Sequence, residues 1–291
     1  MPRSSRLLLA AATLAALSSA LPALAGDPPP PGGLFDLVGA RAMATSAATA
    51  GTIGTEAVFV NPGAIGVNTG FVAETVGVNE RRGAETTSRY LGVLVVDGVS
   101  SPVAASFGYL ASMSGDQRGS LYYLGLAGPL SDRLHIGVQG HYMKLGGPQP
   151  IDAITADAGL HYDATSVVTI GVAGFNLIPT NHPELLPPSM GAGLAVGSDT
   201  SIRVQGDWKG IWLPHSQMAN RYAAGVGALL GGMLALRAGW MHDDLLETSW
   251  WSAGIGLVTG DGFAIDAGYK QSIDASTARE MALSLRYYPP Q

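Results

Sequence analysis

From Thr69 onward the chain divides into segments of about ten residues in which apolar and polar side chains alternate, each closed by turn-forming residues. A period of two is the pattern of a strand with one apolar face. In "RLHIGVQGHYMK" (133–144), Leu134, Ile136, Val138 and Tyr142 share one face, and His135, Gln139 and His141 share the other. "ITADAGLHYD" (154–163) sets Ile154, Leu160 and Tyr162 against Asp157, His161 and Asp163. "SIRVQGDWK" (201–209), "GFAIDAGYK" (262–270) and "REMALSLRYY" (279–288) repeat the pattern. The expected strands are 69–79, 88–97, 102–111, 118–127, 133–143, 153–163, 166–175, 188–197, 200–209, 219–230, 232–242, 249–258, 262–271 and 278–288, fourteen in all.

The connections alternate in length. "DATS" (163–166), "GSDT" (197–200), "LGG" (230–232) and "TGDG" (259–262) are tight, whereas "KLGGPQPID" (144–152), "NLIPTNHPELLPP" (176–188) and "HDDLLETS" (242–249) are long. An even number of strands with short turns at one end and long loops at the other is the rhythm of an outer-membrane barrel. No apolar run after residue 25 approaches the roughly 18 residues of a membrane helix. Yet 47% of the chain is hydrophobic and only 13% charged, with 40 glycines, against about 25% charged in ordinary globular domains. Something other than water must face much of the surface, and only helices or closed barrels satisfy their backbone in lipid. The fold class expected is all-β, a transmembrane antiparallel β-barrel of about fourteen strands spanning 69–291, in contact with membrane lipids.

Residues 1–25 read as a signal peptide: Arg3 and Arg6, the apolar run 7–21, then "ALA" (23–25), with cleavage expected near Ala25 and the outer membrane of a Gram-negative bacterium as destination. Pro28–Pro31 and Gly32-Gly33 form a spacer in the linker that follows. Zero cysteines leave no disulfide and no thiolate site. Beyond the leader, 14 basic residues face 22 acidic ones, which argues against a nucleic-acid partner.

Tyr142, Tyr162, Trp208, Tyr222, Trp240, Trp251, Tyr269 and Tyr287 fall toward strand ends in the apolar phase, where an aromatic girdle belongs. In the polar phase, facing the lumen, are His135, Gln139, His141, Asp157, His161, Arg203, Asp207, Lys209, Arg221, Arg237, Asp266, Lys270, Glu280 and Arg286. Both signs are interleaved, which suits a mutually paired interior better than a single-sign ion funnel. His135, His141 and His161 on adjacent strands raise a metal site, but no carboxylate spacing fixes a geometry and none is assigned. No Gly-x-Ser-x-Gly element marks a nucleophile, no catalytic residue is assigned, and nothing calls for a cofactor. Ile178, Leu185, Leu186, Ile211, Trp212 and Leu213 make two long loops apolar; they either meet a hydrophobic ligand or pack together as a cap. Tyr288 fits the terminal aromatic of substrates of the barrel-assembly machinery, although Pro289-Pro290-Gln291 follow it.

Ahead of the first strand, "GARAMATSAATAGTIGTEAVFVNPGAIG" (39–66) is small-residue-rich and ends on a strand-breaking Asn-Pro-Gly. It resembles the N-terminal segment of FadL-type outer-membrane transporters and their PorV/PorQ-like relatives. Gly39-Ala40-Arg41-Ala42, Glu56-Ala57-Val58-Phe59 and Asn61-Pro62-Gly63-Ala64-Ile65 stand at the matching places, with Gly-Ala for Ala-Gly and Ile for Leu. The resemblance implies that residues roughly 34–68 of the 26–68 region form a hatch inside the barrel. Gly39, Arg41, Glu56 and Phe59 would carry the hatch motif, and the turn Asn61, Pro62, Gly63 would join it to the wall. It also implies passage of a hydrophobic small molecule or lipid, leaving sideways through the wall, with a Pro- or Gly-interrupted strand such as 102–111 as the candidate opening. The PorV/PorQ-like branch implies instead a component of a secretion or surface-attachment complex. A general porin is the third reading.

Overall fold

The computed structural model describes residues 38–82, 86–114, 117–147, 150–183, 185–213, 217–273 and 278–289. The leader, the proline spacer and residues 34–37 of the expected hatch lie outside them. Fourteen strands follow one another around a closed barrel: β1 (Phe71–Arg82), β2 (Thr86–Asp97), β3 (Ala104–Ser114), β4 (Gln117–Ser131), β5 (Leu134–Leu145), β6 (Ile151–Asp163), β7 (Val168–Phe175), β8 (Ser189–Gly197), β9 (Ile202–Leu213), β10 (Gln217–Leu230), β11 (Leu234–Asp243), β12 (Thr248–Val258), β13 (Phe263–Ser272) and β14 (Arg279–Tyr287). β1 closes the ring against β14, with Ala73 opposite Tyr287 and Arg81 opposite Arg279. Closure leaves no edge strand, so backbone groups are paired without water.

Every strand turns large apolar side chains outward. Leu124 is 65% and Ile154 67% exposed, far beyond what a water-facing wall of this size tolerates as a continuous band. Such a band is the outer face expected of a bilayer-spanning barrel. Toward the long-loop end, Tyr109, Tyr122 and Tyr142 stack in series at 5.2 and 6.2 Å. Trp208 faces Tyr222 and Trp240 faces Trp251 across adjacent strands. At the short-turn end Phe263 lies 4.8 Å from Tyr287. The tight turns have matching chemistry: in the β10–β11 turn, Gly231 and Gly232 both take positive φ, and Met233 N–H closes the turn on the Leu230 carbonyl at 3.1 Å.

Residues 38–70 run inside this wall. They form α1 (Ala40–Thr45), a 3-10 turn (Gly54–Glu56), α2 (Ala57–Val60) and a 3-10 helix (Pro62–Val67). Helices this short do not persist alone, so their placement comes from packing. The wall accommodates them through inward-facing glycines. A Cβ at Gly268 would overlap the Ala40 carbonyl, one at Gly225 or Gly239 that of Thr45, one at Gly171 that of Thr49, and one at Gly137 that of Pro62. Backbone lies directly on backbone because the wall carries no side chain at these points.

The Asn61-Pro62-Gly63 turn differs from its expected role as the junction with the wall. Asn61 Oδ1 accepts from Gly63 N–H at 3.0 Å, and Pro62 opens the 3-10 helix that follows. A side-chain cap plus a proline at the first helical position starts a helix rather than ending one. The chain therefore stays inside through the 3-10 helix Pro62–Val67, against β4, β5 and β6, and joins the wall at Phe71.

Candidate functional site

The lumen is divided by the inner segment, and each side of that segment is held differently. On the β9–β14 side the fastenings are polar. Arg41 N–H and Ala42 N–H, in the first turn of α1, donate to the two Glu56 carboxylate oxygens at 3.0 and 2.9 Å. The Arg41 guanidinium lies 3.6 Å from Glu56 and 3.9 Å from Glu74 of β1, whose carboxylate also accepts from the Thr55 hydroxyl. Burial opposes the charge on Arg41, but Glu56 and Glu74 outweigh it and hold its pKa above the ordinary guanidinium value. Asp207 accepts from Ala48 and Thr49 N–H, both at 2.6 Å, and Gln205 donates to the Ala47 carbonyl. Ser252 donates to the Ala44 carbonyl at 2.9 Å.

On the β2–β6 side the contact is mostly apolar. Val58, Ala64 and Ile65 pack into a buried cluster with Leu94, Leu110, Leu121, Met143, Leu145 and Ile151. Phe59 stands edge-on to Tyr123 at 5.5 Å. Two amides tie this side down: Gln139 Nε2 donates to the Val58 carbonyl at 2.8 Å, and Asn61 Nδ2 to the Thr49 and Leu160 carbonyls, each at 2.9 Å. Gly39 lies against the Glu56 side chain.

The polar residues read from strand alternation all point into the lumen and mostly pair with one another. Asp266 receives Arg237 and Arg286. Lys270 pairs with Glu280 at 3.5 Å and sits 4.8 Å from the Trp250 ring. Arg221 Nε donates to Asp243 at 2.9 Å, and Lys209 covers the Phe175 ring at 4.7 Å. Arg203 pairs with Asp199 at 2.8 Å. His135 and His161 face each other across β5 and β6 with ring centroids 6.4 Å apart, and His161 lies 3.4 Å from Asp163. His141 turns its two nitrogens to Asp157 and Asn176, each at 3.1 Å.

Sequence reasoning missed the apolar half of the lumen, the glycine contacts, and the partners Glu74, Asp243 and Asn176. The glycines carried a signal: Gly137 and Gly159 fall in the inward phase beside His135 and His161.

Cavities lie on both sides of the inner segment. Toward the long loops, one of about 90 Å³ is lined by Met43, Phe59, Val60, Phe175, Lys209 and Met241 among others. A second of about 40 Å³ shares Phe59, Phe175 and Lys209 and adds Tyr123, Met143, Asn176 and Leu186. Toward the short turns lies one of about 280 Å³.

The second cavity abuts an irregularity in the wall. β6 runs from Ile151 to Asp163, but β7 pairs with it only from Ala158 to Asp163. Beyond Ala158 the ladder is replaced by the start of the next loop. Leu177 N–H donates to the Ala156 carbonyl at 2.8 Å, Asn176 N–H to Asp157 at 2.9 Å, and the Thr155 hydroxyl to the Ile178 carbonyl at 2.9 Å. Asn176 adopts φ +54, a conformation asparagine tolerates. Leu177 and Ile178 are exposed outside, while Leu185 and Leu186 return to the interior as part of the apolar cluster. Of the residues expected in apolar loops, Leu185 and Leu186 pack inward and Ile178 is exposed, whereas Ile211, Trp212 and Leu213 belong to β9, with Ile211 buried and Trp212 exposed, because the strand runs on past Lys209. β3, the expected place for an opening, is paired along its length with β2 and β4, because Pro102 falls before the strand begins.

No protein-family model matches the chain, and no curated protein matches it. Solved structures do. The CymD monoaromatic hydrocarbon channel superposes with a TM-score of 0.63 at 15% identity, over 87% of this chain and 97% of that one. A Pseudomonas aeruginosa FadL homologue gives 0.61 at 11% identity, over 86% and 98%. The Pseudomonas putida toluene transporter TodX gives 0.55 at 14% identity, over 87% and 98%. The chain has the fold of the FadL-type outer-membrane channels.

Proposed function

We propose that this protein passes a hydrophobic small molecule or lipid across the outer membrane without covalent chemistry, with residues 38–70 acting as a hatch. The observation that carries the reading is the pair of adjoining cavities under the long loops, walled on one side by Phe59, Phe175, Met43, Met143 and Leu186 and on the other by charged groups such as Asp207, Lys209, Arg221 and Asp157. The second of them ends at Asp157 and Asn176, where the β6–β7 ladder is interrupted. Apolar walls with a few polar groups are what a neutral hydrophobic ligand requires. The interruption, bridged by 176–178, is the place where such a ligand could leave the lumen for lipid without breaking a full strand ladder. The channel and transporter names of the structural neighbours agree with this reading.

The test is binding and uptake of toluene and of a fatty acid by the purified chain in liposomes. Saturable uptake of either, reduced about tenfold in Phe59→Ala through lost apolar contact, supports the proposal. Absence of both binding and uptake defeats it. A wide, open conductance in planar bilayers would favour a general porin instead. A protein partner that stays bound through purification would favour the secretion-complex reading.

A further inference from the structure

The largest of the three cavities, about 280 Å³, lies on the short-turn side of the inner segment and has a different chemistry. Four guanidinium groups line it: Arg41 from α1, Arg203 from β9, Arg237 from β11 and Arg286 from β14. Their carboxylate partners Glu56, Glu74 and Asp266 are at most 1% exposed and stand behind them. Asp199, at the rim, is the one carboxylate among the described lining residues, and it is paired with Arg203. The void is therefore faced by cations, and the balancing anions sit away from it.

The donors are also incompletely used. A guanidinium carries five N–H groups. Arg286, only 5% exposed, gives Nη1 to the Tyr288 hydroxyl and Nη2 to Asp266, and its buried Nε has no hydrogen-bond partner. The buried Nε of Arg203 is likewise unmatched, whereas that of Arg41 faces Glu56 Oε1 at 3.6 Å. Arg237 gives Nη1 to Asp266 at 2.7 Å. Buried donors without acceptors are costly, and carboxylates and phosphates present two oxygens that fit a guanidinium fork two bonds at a time. Leu229, Ala235 and Val258 add an apolar side to the same cavity.

We infer that this cavity binds an oxyanion group, a phosphate or carboxylate, that reaches it from the short-turn side. The source is either a free ion or the head of a small amphiphile whose tail lies on Leu229, Ala235 and Val258. The site is independent of the transport proposal, since it is read by equilibrium binding alone.

The experiment is calorimetric titration of the full chain in lipid nanodiscs with inorganic phosphate, octyl phosphate and octanol. Saturable binding of inorganic phosphate, weakened by salt and about tenfold by Arg237→Ala, supports a free-ion site. Binding of octyl phosphate alone, weakened in the same way, supports the amphiphile. Arg203→Gln is the second variant, because Arg203 sits at the rim and its loss spares the Asp266 network. Both variants are first checked for folded, heat-modifiable migration on gels. Absence of binding of both inorganic phosphate and octyl phosphate overturns the inference. Equal binding of octanol and octyl phosphate, or binding that neither variant alters, also overturns it.

Discussion

The two halves of the lumen are built on opposite principles. From β2 to β6 the inner face carries the buried apolar cluster of Leu94, Leu110, Leu121, Met143, Leu145 and Ile151, packed on Val58 and Ile65, with Gln139, His141, Asp157 and His161 of β5 and β6 set beside it. From β9 to β14 it is Arg221, Arg237, Asp243, Asp266, Lys270, Glu280 and Arg286, cross-linked by ion pairs, with Asp207 accepting from the inner segment. One inner segment spans both halves, apolar where it meets the first and hydrogen-bonded where it meets the second. The apolar half tolerates change of chemistry poorly but asks little of geometry; the charged half needs each partner in place, because an unpaired charge away from water is expensive.

The largest effect should therefore come from the charged half. Asp266→Ala strands both Arg237 and Arg286, and breaking a buried pair in this way costs about 4 kcal/mol. Urea unfolding of the barrel in lipid vesicles should show that loss. Removing Arg237 as well, in Asp266→Ala/Arg237→Leu, should recover part of it. No recovery would mean that Asp266 acts through something other than charge pairing.

Next comes the apolar half. Leu121 is 1% exposed in the middle of the cluster, and Leu121→Ala should cost about 3 kcal/mol through lost transfer energy and a residual cavity. A polar replacement of the same size, Leu121→Asn, should cost more still. If Asn were tolerated as well as Ala, this half would be wet, and its contrast with the charged half would fail.

These halves differed in how far the sequence revealed them. Where one face meets lipid and the other a polar lumen, as at Leu134–Tyr142, alternation showed both the strand and its inward residues. On β2, "YLGVLVV" puts Tyr90, Leu94 and Val96 inward while Leu91, Val93 and Val95 face out, so the run is apolar on both faces and alternation disappears. Strand count survived because turns still bounded the run. Lumen chemistry did not, because nothing local separates an apolar residue facing lipid from one facing a hatch. The position of the Asn61-Pro62-Gly63 turn was illegible for a related reason. Its local pattern suits both a strand junction and a capped helix start, and the choice is made by distant partners, the Thr49 and Leu160 carbonyls.

The seam between inner segment and wall is the third place to probe. Gly137 lies under the Pro62 carbonyl, and a Cβ there would also approach Gly63 N at 2.8 Å. Gly137→Ala should cost about 2 kcal/mol by overpacking. Backbone on both sides leaves no flexible side chain to yield. Trypsin should then cut the inner segment at Arg41 in the folded variant and not in the parent chain.

Asn61→Ala should have the smallest effect and is the most specific test of how the segment is set. The side chain serves three groups at once, accepting from Gly63 N–H and donating to carbonyls on the segment and on β6. A lost helix cap costs about 1 kcal/mol. The two carbonyls lose a donor but, being backbone oxygens with a second lone pair, add little more. Asn61→Asp keeps the cap acceptor and removes the two donors. If the cap dominates, Asp should match Asn in unfolding midpoint. If the bonds to Thr49 and Leu160 dominate, Asp should be worse than Ala, because a fully buried carboxylate would then face two carbonyl oxygens.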